Sequence, residues 1–493
     1  MEGWLVLHIN FYMKNIADEL NELVEQFTTN KPDRVEKLPQ SGGDRVYFRI
    51  FAKDQTYIAT YNTNVEENKT FIYCTNHFRS QGLPMPEILG VNEAQSIYLQ
   101  QDLGTQSLLD KLEELGYTDE VYQLYQTTLQ HLSQVQIMGH NGFDYDQCLT
   151  AKEFGKQAML SDLLYFKYYF LDTLKLPYDK QALLNDFDTL SSYLDNSGDK
   201  YFMYRDFQSR NVMVKERSIF FIDYQGGMKG ALQYDVASLL WQAKANLPQK
   251  WKEQLLDEYM DETEKNLLSV IDRPMFVSQY NGYVLIRLLQ VLGAYGFRGL
   301  FERKAHFLSS IPLALKNLAF FLSNHKINVE TPELNKMLTA IAASDIAERF
   351  ETVKANEATP LVVSIFSFSY KQNIPVDNTG NGGGFLFDMR GIVNPGRFAE
   401  FKQLTGRDKE VKDFLEQKTQ MGEFLNNAFN IVDISVEDYI KRDFASLLVG
   451  FGCTGGQHRS VYAADAMARH LKNKFGVKVE VHHMVQEAKN WVY

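Results

Sequence analysis

A short stretch near the middle of the chain combines the residue types that phosphoryl transfer requires. Arg205 and Asp206 are followed five residues after the aspartate by Asn211, and a second carboxylate, Asp223, follows the apolar run 219–222. A carboxylate can orient and deprotonate an acceptor hydroxyl, and amide and carboxylate oxygens are hard ligands that suit Mg²⁺. The spacing predicts Asp206, Arg205 and Asn211 as catalytic residues. It also predicts Asn211 and Asp223 as metal ligands.

The same Arg-Asp pair, taken by itself, is also typical of a surface hairpin without any chemistry. Two further segments at the expected distances favour the catalytic interpretation. They are Ile222-Asp223-Tyr224-Gln225 and Tyr234-Asp235-Val236-Ala237-Ser238-Leu239-Leu240. Together they indicate a catalytic loop followed by a metal-binding turn.

A glycine turn closer to the N-terminus is a candidate phosphate cradle. Ser41, Gly42 and Gly43 precede the alternating apolar residues of 46–50. Glycine allows backbone N–H groups to approach an anion closely. Most such pairs are plain turns, so the prediction of cofactor binding here depends on the catalytic stretch downstream.

The next strand, 56–61, contains no lysine that could hold the α- and β-phosphates of a nucleotide. Either Arg45 or Arg49, from the preceding hairpin, replaces that lysine, or nucleotide binding is weak. Glu66 and Glu67 open the following helix. A solvated helix start is their expected role, and a partner acid for the nucleotide-binding cation is the alternative.

The strand 96–104 predicts a hinge between two lobes, where backbone groups near Gln101 and Asp102 would pair with an adenine edge. Beyond it the apolar residues recur with helical spacing. We expect an α+β protein with a two-lobed protein-kinase-like fold, a small β-rich lobe and a large helical lobe, followed by a smaller α/β domain. The predicted boundaries are 1–105, 106–325, a helical linker at 326–359 with a helical segment from Leu334 to Ala355, and 360–493.

Composition narrows the class of protein. The 493 residues carry a net charge of −11 and are 45% hydrophobic, which is typical of a soluble globular protein. No continuous apolar run approaches the roughly 18 residues of a membrane span, so no membrane association is expected. Three cysteines give neither a disulfide framework nor a zinc spacing. We expect a cytoplasmic protein.

The catalytic stretch, with the segments 222–225 and 234–240, resembles the aminoglycoside phosphotransferase-like family, and within it the AmgK-like sugar kinases. The resemblance covers roughly residues 15 to 325. It implies ATP and Mg²⁺ as cofactors and a sugar hydroxyl as acceptor, namely the anomeric hydroxyl of N-acetylmuramate or N-acetylglucosamine. Phosphorylation of an aminoglycoside is the less favoured acceptor assignment.

A second candidate site lies where the C-terminal part of the chain passes from a strand through a glycine turn into a helix. Free N–H groups and the positive end of the helix dipole meet at such a turn and favour an anion. The predicted anion-binding or phosphosugar-binding residues are Thr454, Gly455, Gly456, Gln457, His458, Arg459 and Ser460. The spacing from Cys453 to Arg459 is one residue longer than the C-x5-R loop of cysteine phosphatases, so binding without turnover is expected.

This C-terminal part resembles the RapZ C-terminal domain. The matching stretches include Ser367-Phe368-Ser369-Tyr370-Lys371, Leu404-Thr405-Gly406-Arg407-Asp408 and Gly452 to Tyr462. The resemblance implies a hexosamine phosphate effector and contact with RNA. Residues 360–493 carry 16 Lys and Arg against 15 Asp and Glu, and such a balance disfavours RNA, whose binding depends on phosphate neutralisation.

The combined prediction is an ATP-dependent small-molecule kinase acting on an amino-sugar hydroxyl, fused to a phosphosugar-sensing domain. The alternative from a different class is a non-catalytic adapter, in which a kinase-like scaffold presents the C-terminal domain to RNA or protein.

Overall fold

The computed structural model describes residues 16, 18–28, 30–38, 45–149, 151–196, 198–302, 305–351, 353–380 and 383–489. The described chain forms two compact units. The first comprises the described parts of Met1–Ala294 and Leu313–Ala343, and the second those of Tyr295–Pro312 and Ser344–Tyr493.

The first unit begins with an antiparallel sheet of five strands in the order β1-β2-β3-β5-β4. The strands are β1 (Arg34–Lys37), β2 (Val46–Ala52), β3 (Gln55–Tyr61), β4 (Ile88–Val91) and β5 (Ile97–Gln101). Val46 pairs with Tyr61 on β3, which places the residues preceding β2 beside the end of β3. Phe48 and Ile50 alternate inward, as the two-residue period of a strand requires.

Two helices accompany this sheet. Helix α1 (residues 18–28) contributes an apolar stripe to one face, formed by Ile16, Leu20, Leu23 and Val24 and packed with Phe48, Ile50, Ala59, Ile97 and Leu99. Helix α2 (Val65–Ser80) begins at Asn64, whose side chain accepts a hydrogen bond from the N–H of Glu67. An N-cap of this kind fixes where the helix starts, and therefore fixes Glu66 and Glu67 in its first turn.

The rest of the first unit is a helical lobe with two short strand pairs. Its helices are α3 (Leu108–Leu115), α4 (Asp119–Ile137), α5 (Lys156–Tyr169), α6 (Lys180–Asp195), α7 (Leu232–Leu240), α8 (Gln249–Leu267) and α9 (Arg273–Tyr295). The strands β6 (Tyr201–Met203) and β9 (Met228–Gly230) pair with each other, and β7 (Val212–Lys215) pairs with β8 (Ser218–Phe221). These pairs bracket the predicted catalytic stretch.

The helix that begins at Arg273 and runs to Phe301, its last turn being a π-helix, is long and apolar enough to cross a membrane by length and composition alone. More than half of its most apolar window, 56%, is buried within the protein. A core helix of a globular protein passes the same test, and its burial here fits that role. Within the described residues no other helix meets the criterion.

The second unit contains a four-stranded parallel sheet in the order β11-β12-β10-β13. Its strands are β10 (Val362–Ser369), β11 (Gly384–Asp388), β12 (Ser446–Cys453) and β13 (Lys478–His483), and its helices include α14 (Lys409–Lys418), α15 (Met421–Lys441), α16 (Arg459–Phe475) and α17 (Met484–Ala488). The strands bury Val363, Ile365, Val449 and Phe451. In sheets of this type ligands bind at the carboxyl ends of the strands.

The expected fold class is confirmed, with a sheet-plus-helix kinase-like unit followed by an α/β unit. The connecting region differs in part from the helical segment expected from Leu334 to Ala355, since two short helices cover only part of it. After α10 (Ala305–Leu308) and α11 (Ile311–Asn324), the chain forms α12 (Pro332–Ile341) and α13 (Ser344–Glu348). Helix α12 belongs to the first unit, where the N–H of Leu334 donates to Asp186 Oδ2 at 2.8 Å. The predicted domain boundaries stay predictions.

Candidate active site

Asn211 and Asp223 meet at the base of the β7–β8 hairpin. The hairpin pairs Val212 with Phe221, and the N–H of Ile222 donates to the carbonyl of Asn211 at 3.1 Å. Asn211 Nδ2 donates to the backbone carbonyl of Asp206 at 2.9 Å and to Asp223 Oδ2 at 3.5 Å. The structure therefore brings together the amide and the two aspartates that the sequence singled out.

Asp206 presents its carboxylate to solvent, with 51% of the side chain exposed. Arg287 Nη2, from α9, lies 3.7 Å from Asp206 Oδ1, and the Arg287 side chain is only 6% exposed. Sequence reasoning missed Arg287. The available signal was a lone arginine within an almost entirely apolar helix segment, where a buried charge needs a partner.

Asp235 anchors the backbone of the catalytic stretch from below. Its carboxylate accepts the N–H of Tyr204 at 2.7 Å and that of Arg205 at 3.0 Å, and Gln136 Nε2 donates to it at 3.1 Å. Burial raises the pKa of Asp235 to about 7, although these three hydrogen bonds act in the opposite direction. The sequence motif contained Asp235, but gave it no role.

Two residues of the site have a left-handed backbone. Arg205 has φ of +76° and Asp223 has φ of +71°, a region that residues with a Cβ rarely occupy. Such conformations persist where neighbouring contacts hold them. Here the Asp235 carboxylate holds the N–H of Arg205, and the hydroxyl of Tyr204 donates to the carbonyl of Ile222, directly before Asp223.

The side chain of Arg205 is committed to structural contacts, which corrects its assignment as a catalytic residue. Its guanidinium donates to Asp162 Oδ1 and to the hydroxyl of Tyr234, both at 2.8 Å. It also lies 4.5 Å from the ring centroid of Phe154. Arg205 therefore ties the loop of Asp206 to α5 and α7, and acts as a positioning residue.

Arg45 connects the β-rich lobe with Asp223. Its Nη2 lies 2.5 Å from Glu67 Oε1 and 3.4 Å from Asp223 Oδ1. Burial lowers the pKa of Arg45, but the neighbouring tyrosines and these two carboxylates outweigh burial and hold that pKa above its ordinary value. The expectation of a solvated helix start is wrong for Glu67, which also accepts from Asn62 Nδ2 at 2.9 Å. It holds for Glu66, which is exposed and pairs with Lys69.

Arg49 occupies a different place from Arg45, and its predicted role as a phosphate ligand needs correction. Its guanidinium binds both oxygens of Asp102, at 2.8 and 3.2 Å, and donates to the carbonyl of Gly104. Lys215 Nζ donates to the backbone carbonyl of Asp102 at 3.0 Å. Both the side chain and the carbonyl of Asp102 are thus engaged in stabilising the hinge.

The remaining predicted cofactor contacts are only partly described. Gln101 ends β5, where its N–H donates to the carbonyl of Glu87 at 2.9 Å. Ser41, Gly42 and Gly43 lie outside the described residues. Among the residues that the structure describes, no group of three or more His, Cys, Asp or Glu side chains could hold a metal ion. A cation at Asn211 and Asp223 would therefore need phosphate oxygens and water to complete its shell, as Mg²⁺ commonly does.

In the second unit, groups of the glycine turn after β12 form hydrogen bonds with the sulfur of Cys453, the last residue of that strand. The N–H of Gly456 points at Cys453 Sγ at 3.1 Å, and Ser460 Oγ lies 3.2 Å from the same sulfur. Burial raises the pKa of the Cys453 thiol, but the hydrogen bonds from Ser460 and Gly456 and the charge of Arg459 bring the pKa below its ordinary value. Ser460 and Gly456 therefore serve Cys453, which corrects their assignment as direct anion donors.

The side chains of Gln457 and His458 also have structural partners. Gln457 Nε2 donates to the carbonyls of Lys402 and Leu404 at 3.1 and 2.7 Å, and His458 Nε2 lies 2.9 Å from the carbonyl of Phe401. These bonds attach the 401–404 segment to the start of α16. The prediction that these two residues bind an anion is thus corrected for their side chains.

Arg459, Thr454 and Gly455 remain as candidate ligand contacts. Arg459 is 3% exposed, and it donates to the carbonyls of Met389 at 3.2 Å and Ile392 at 2.6 Å. Its Nε is buried without a hydrogen-bond partner, and its Nη2 is 3.5 Å from Thr454 Oγ1. A Cβ added at Gly455 would meet no other atom within 4 Å, so the space on that side is open. The Nε–H of this buried guanidinium lacks a hydrogen-bond acceptor, and a bound anion would supply one.

Two family models match the chain, in the order that the sequence predicted. Residues 35–268 match the phosphotransferase enzyme family, and residues 361–487 match the RapZ C-terminal domain. The resemblances to the phosphotransferase family and to the RapZ C-terminal domain are therefore confirmed. The first match includes Asp206, Asn211 and Asp223. The second includes the glycine turn.

Individual relatives resemble only parts of the chain. A nucleotide-binding protein of Glaesserella parasuis is 30% identical over 185 residues, which are 37% of this chain and 62% of that protein. Further matches are nucleotide-binding proteins from Clostridium botulinum and Thermotoga neapolitana. The match covers 40% and 43% of the length of these two proteins. The chain thus spans less than two thirds of the length of these relatives.

Solved structures with a similar fold include choline kinase LicA from Streptococcus pneumoniae. It is 14% identical, with a TM-score of 0.42, and the match covers 63% of this chain and 99% of that one. The aminoglycoside phosphotransferase APH(4)-Ia is 16% identical, with a TM-score of 0.40, over 60–61% of this chain and 96–99% of that one.

Proposed function

We propose that this protein is an ATP- and Mg²⁺-dependent small-molecule kinase that phosphorylates a sugar hydroxyl. The observation that carries the proposal is the position of Asn211, whose Nδ2 lies 2.9 Å from the backbone carbonyl of Asp206 and 3.5 Å from the carboxylate of Asp223. In such a reaction a bond forms between the acceptor oxygen and the γ-phosphorus, and the bond from that phosphorus to the bridging oxygen of ADP breaks. The acceptor proton must go to a base.

Asp206 is the base in this proposal. Its half-exposed carboxylate can meet a hydroxyl arriving from solvent, and it accepts the proton as the acceptor oxygen attacks. The carbonyl of Asp206 is held by Asn211, and the preceding N–H groups are held by Asp235. The loop is therefore fixed on both sides before substrate arrives.

Asn211 and Asp223 are the proposed ligands of Mg²⁺, which when bound would offset the charge on the phosphate oxygens. Because Asn211 Nδ2 donates to both neighbours, its Oδ1 is the atom left to face a cation. Asp223 offers a carboxylate that is 42% exposed. Both are hard oxygen donors, so the residues present fit this metal.

Arg45 is the proposed replacement for the lysine that β3 lacks. It directly precedes Val46, which pairs with Tyr61 at the end of β3. The backbone of Arg45 therefore lies on the strand next to β3. It also keeps the partner expected of a phosphate-binding cation, an acid in the first turn of α2, through the 2.5 Å contact with Glu67. A guanidinium can bind phosphate with two parallel hydrogen bonds.

The proposed acceptor is the anomeric hydroxyl of N-acetylmuramate or N-acetylglucosamine, in keeping with the resemblance of the catalytic stretch. A cytoplasmic location follows from the need for ATP, and agrees with the unpaired state of Cys74, Cys148 and Cys453 among the described residues. We also propose that the second unit senses a hexosamine phosphate, through Arg459, Thr454 and the backbone at Gly455. RNA remains a less favoured ligand.

Turnover by the purified full-length chain tests the kinase proposal. With ATP and Mg²⁺, the wild type should phosphorylate one of the two sugars, and Asp206→Asn should reduce kcat by about 10²- to 10⁴-fold. Asp188→Asn, at a carboxylate that is 57% exposed, is the matched control. Absence of wild-type turnover over a broad panel of sugars and aminoglycosides would refute the kinase and favour the adapter.

Calorimetry with the full-length chain and glucosamine 6-phosphate tests the sensor proposal. Thr454→Val should weaken binding by about tenfold, and Thr379→Val, in a remote loop of the same unit, should not. If the wild type binds no hexosamine phosphate, the second unit has another ligand, and titration with RNA at several salt concentrations is the next measurement.

A further inference from the structure

Two carboxylates at the site, including that of Asp206, are paired with arginines. This pairing affects which charge an acceptor can carry. Asp206 lies 3.7 Å from Arg287, and Asp162 lies 2.8 Å from Arg205. Within the part of the chain that the structure describes, these are the ion pairs formed by the two arginines. Each of these two carboxylates therefore has a guanidinium group as its partner.

The two arginines differ in how completely their donors are used. Arg205 has a carboxylate, a tyrosine hydroxyl and two aromatic rings as partners. Arg287 donates one strong hydrogen bond, from Nη1 to Gln290 Oε1 at 2.6 Å, and its contact with Asp206 is too long for a hydrogen bond. A guanidinium has five N–H donors. Arg287 is therefore a buried cation, most of whose N–H donors have no hydrogen-bond partner among the described residues.

Burial of a charge is costly unless hydrogen bonds compensate for it. Arg287 is 5% exposed, and its Nη2 lies 3.7 Å from Oδ1 of Asp206, the base in the proposed reaction. Any acceptor hydroxyl placed against Asp206 also lies within a few ångströms of this guanidinium. Oxygen atoms of the acceptor can complete its hydrogen bonding, whereas a positive charge would be repelled by it.

We propose that Arg287 is a specificity-determining residue, which binds an oxygen-bearing group of the acceptor next to the reacting hydroxyl and excludes acceptors that are positively charged there. The inference deepens the proposed kinase function and rests on it. The acceptor class is a neutral or carboxylate-bearing sugar, with a carbonyl or carboxylate oxygen for Arg287. A sugar with a free ammonium group beside the reacting hydroxyl falls outside the class.

Three sugars with one ring system provide the test. N-acetylmuramate and N-acetylglucosamine both carry a neutral acetamido group beside the anomeric carbon, and N-acetylmuramate has in addition a lactyl carboxylate farther round the ring. Glucosamine carries an ammonium group beside the anomeric carbon. The full-length wild type should show kcat/KM for the first two at least about tenfold above that for glucosamine. Arg287→Gln should lower kcat/KM for N-acetylmuramate and N-acetylglucosamine about ten- to hundredfold, mainly through KM. The same substitution should leave kcat/KM for glucosamine unchanged or raise it. The ratio of kcat/KM between the acetylated sugars and glucosamine should therefore fall.

Arg273→Gln is the matched control, since Arg273 lies on the same helix but pairs with Asp261 and Glu264. It removes the same charge from α9 without touching Asp206, so discrimination should remain. Arg287→Lys, which keeps the charge, should continue to exclude glucosamine while losing part of the affinity for N-acetylmuramate.

Failure of this inference differs from failure of the kinase proposal. If Arg287→Gln reduces kcat/KM for all three sugars by one common factor, or the wild type prefers glucosamine, the specificity role is refuted and the kinase stands. If the wild type neither turns over nor binds any of the three in calorimetry with a non-hydrolysable ATP analogue, both proposals are refuted.

Discussion

Arg45 Nη2 lies 3.4 Å from Asp223 Oδ1, while the same nitrogen holds Glu67 at 2.5 Å. One guanidinium therefore joins the first turn of α2 to the carboxylate that we propose as a metal ligand. In the proposed function this guanidinium would bind the phosphates of the nucleotide, in place of the lysine that β3 lacks.

Substitution of Arg45 should weaken nucleotide binding. We expect Arg45→Met to raise the KM for ATP about tenfold or more, because a charged hydrogen bond to phosphate is lost, and Arg45→Lys to restore part of the affinity. Steady-state kinetics with varied ATP measures the effect. Arg34→Met, at an exposed arginine of β1, is the control, and equal KM values in the two Met variants would contradict a phosphate-binding role.

Asn211 should set the requirement for Mg²⁺. Asn211→Ala removes the proposed ligand oxygen and the donor to the Asp206 carbonyl, so we expect the Mg²⁺ concentration for half-maximal activity to rise about tenfold or more. Titration of activity with Mg²⁺ measures this shift. Asn196→Ala, at an exposed helix end, should behave as the wild type. An unchanged Mg²⁺ dependence in Asn211→Ala would exclude Asn211 as a ligand.

Asp235 should make the stability of the first unit depend on pH. Burial raises its pKa from 3.8 to about 7. Between these values the folded state holds a proton that the unfolded state has released. Its contribution to the free energy of unfolding is therefore present at low pH, and is lost as pH rises through about 7, on the order of 4 kcal/mol in all.

Urea unfolding at several pH values between about 5 and 8, followed by the fluorescence of Trp241 and Trp251 in this unit, measures that dependence. Asp235→Asn cannot titrate, so its free energy of unfolding should vary less steeply with pH than that of the wild type. Parallel pH profiles for the two proteins would show that Asp235 does not titrate in this range.

Lys252 should be a destabilising residue at neutral pH. Its side chain is 7% exposed, its Nζ lies 3.9 Å from the ring centroid of Trp241, and burial lowers its pKa from 10.5 to about 8. Lys252 loses its proton at a lower pH in the folded state than in the unfolded state. Its contribution to the free energy of unfolding therefore increases as pH rises from about 8 to 10.5. Below that range, the cost of the buried charge is fully present.

We therefore expect Lys252→Met to raise the free energy of unfolding at pH 7 by about 1 kcal/mol, since an apolar chain of similar length replaces a buried ammonium. Chemical denaturation measures the change, and Lys250→Met, at an exposed neighbour, is the control. A loss of stability in Lys252→Met would mean that the cation–π contact with Trp241 outweighs the cost of burial.

The sequence was informative wherever chemistry depends on residues close together along the chain. Asp206, Asn211 and Asp223 are confined to 18 positions around one hairpin, so their spacing alone limits how far apart they can lie. Strand and helix periodicity likewise predicted the β-rich lobe, the helical lobe and the α/β unit. The helical segment expected from Leu334 to Ala355 is only partly helical: α12 packs on α6 and ends at Ile341, and α13 ends at Glu348.

The sequence was uninformative about where long polar side chains point. Gln457 and His458 were predicted to bind an anion, but their side-chain nitrogens lie against carbonyls some 53 to 57 positions away. Arg49 and Arg45 lie four positions apart on the chain, and yet one stabilises the hinge and the other reaches Asp223. The period of the strand does not predict which acid each arginine finds.

By itself, the sequence determined the fold class, the order of the two units, and the cluster of Asp206, Asn211 and Asp223, because local spacing and apolar periodicity carry that information. Only the tertiary structure decided the partners of those residues. Glu67, Arg287 and Asp235 come from α2, α9 and α7. Contacts between such distant segments form when apolar faces pack, and a charged side chain among them takes whichever partner the packing leaves within reach.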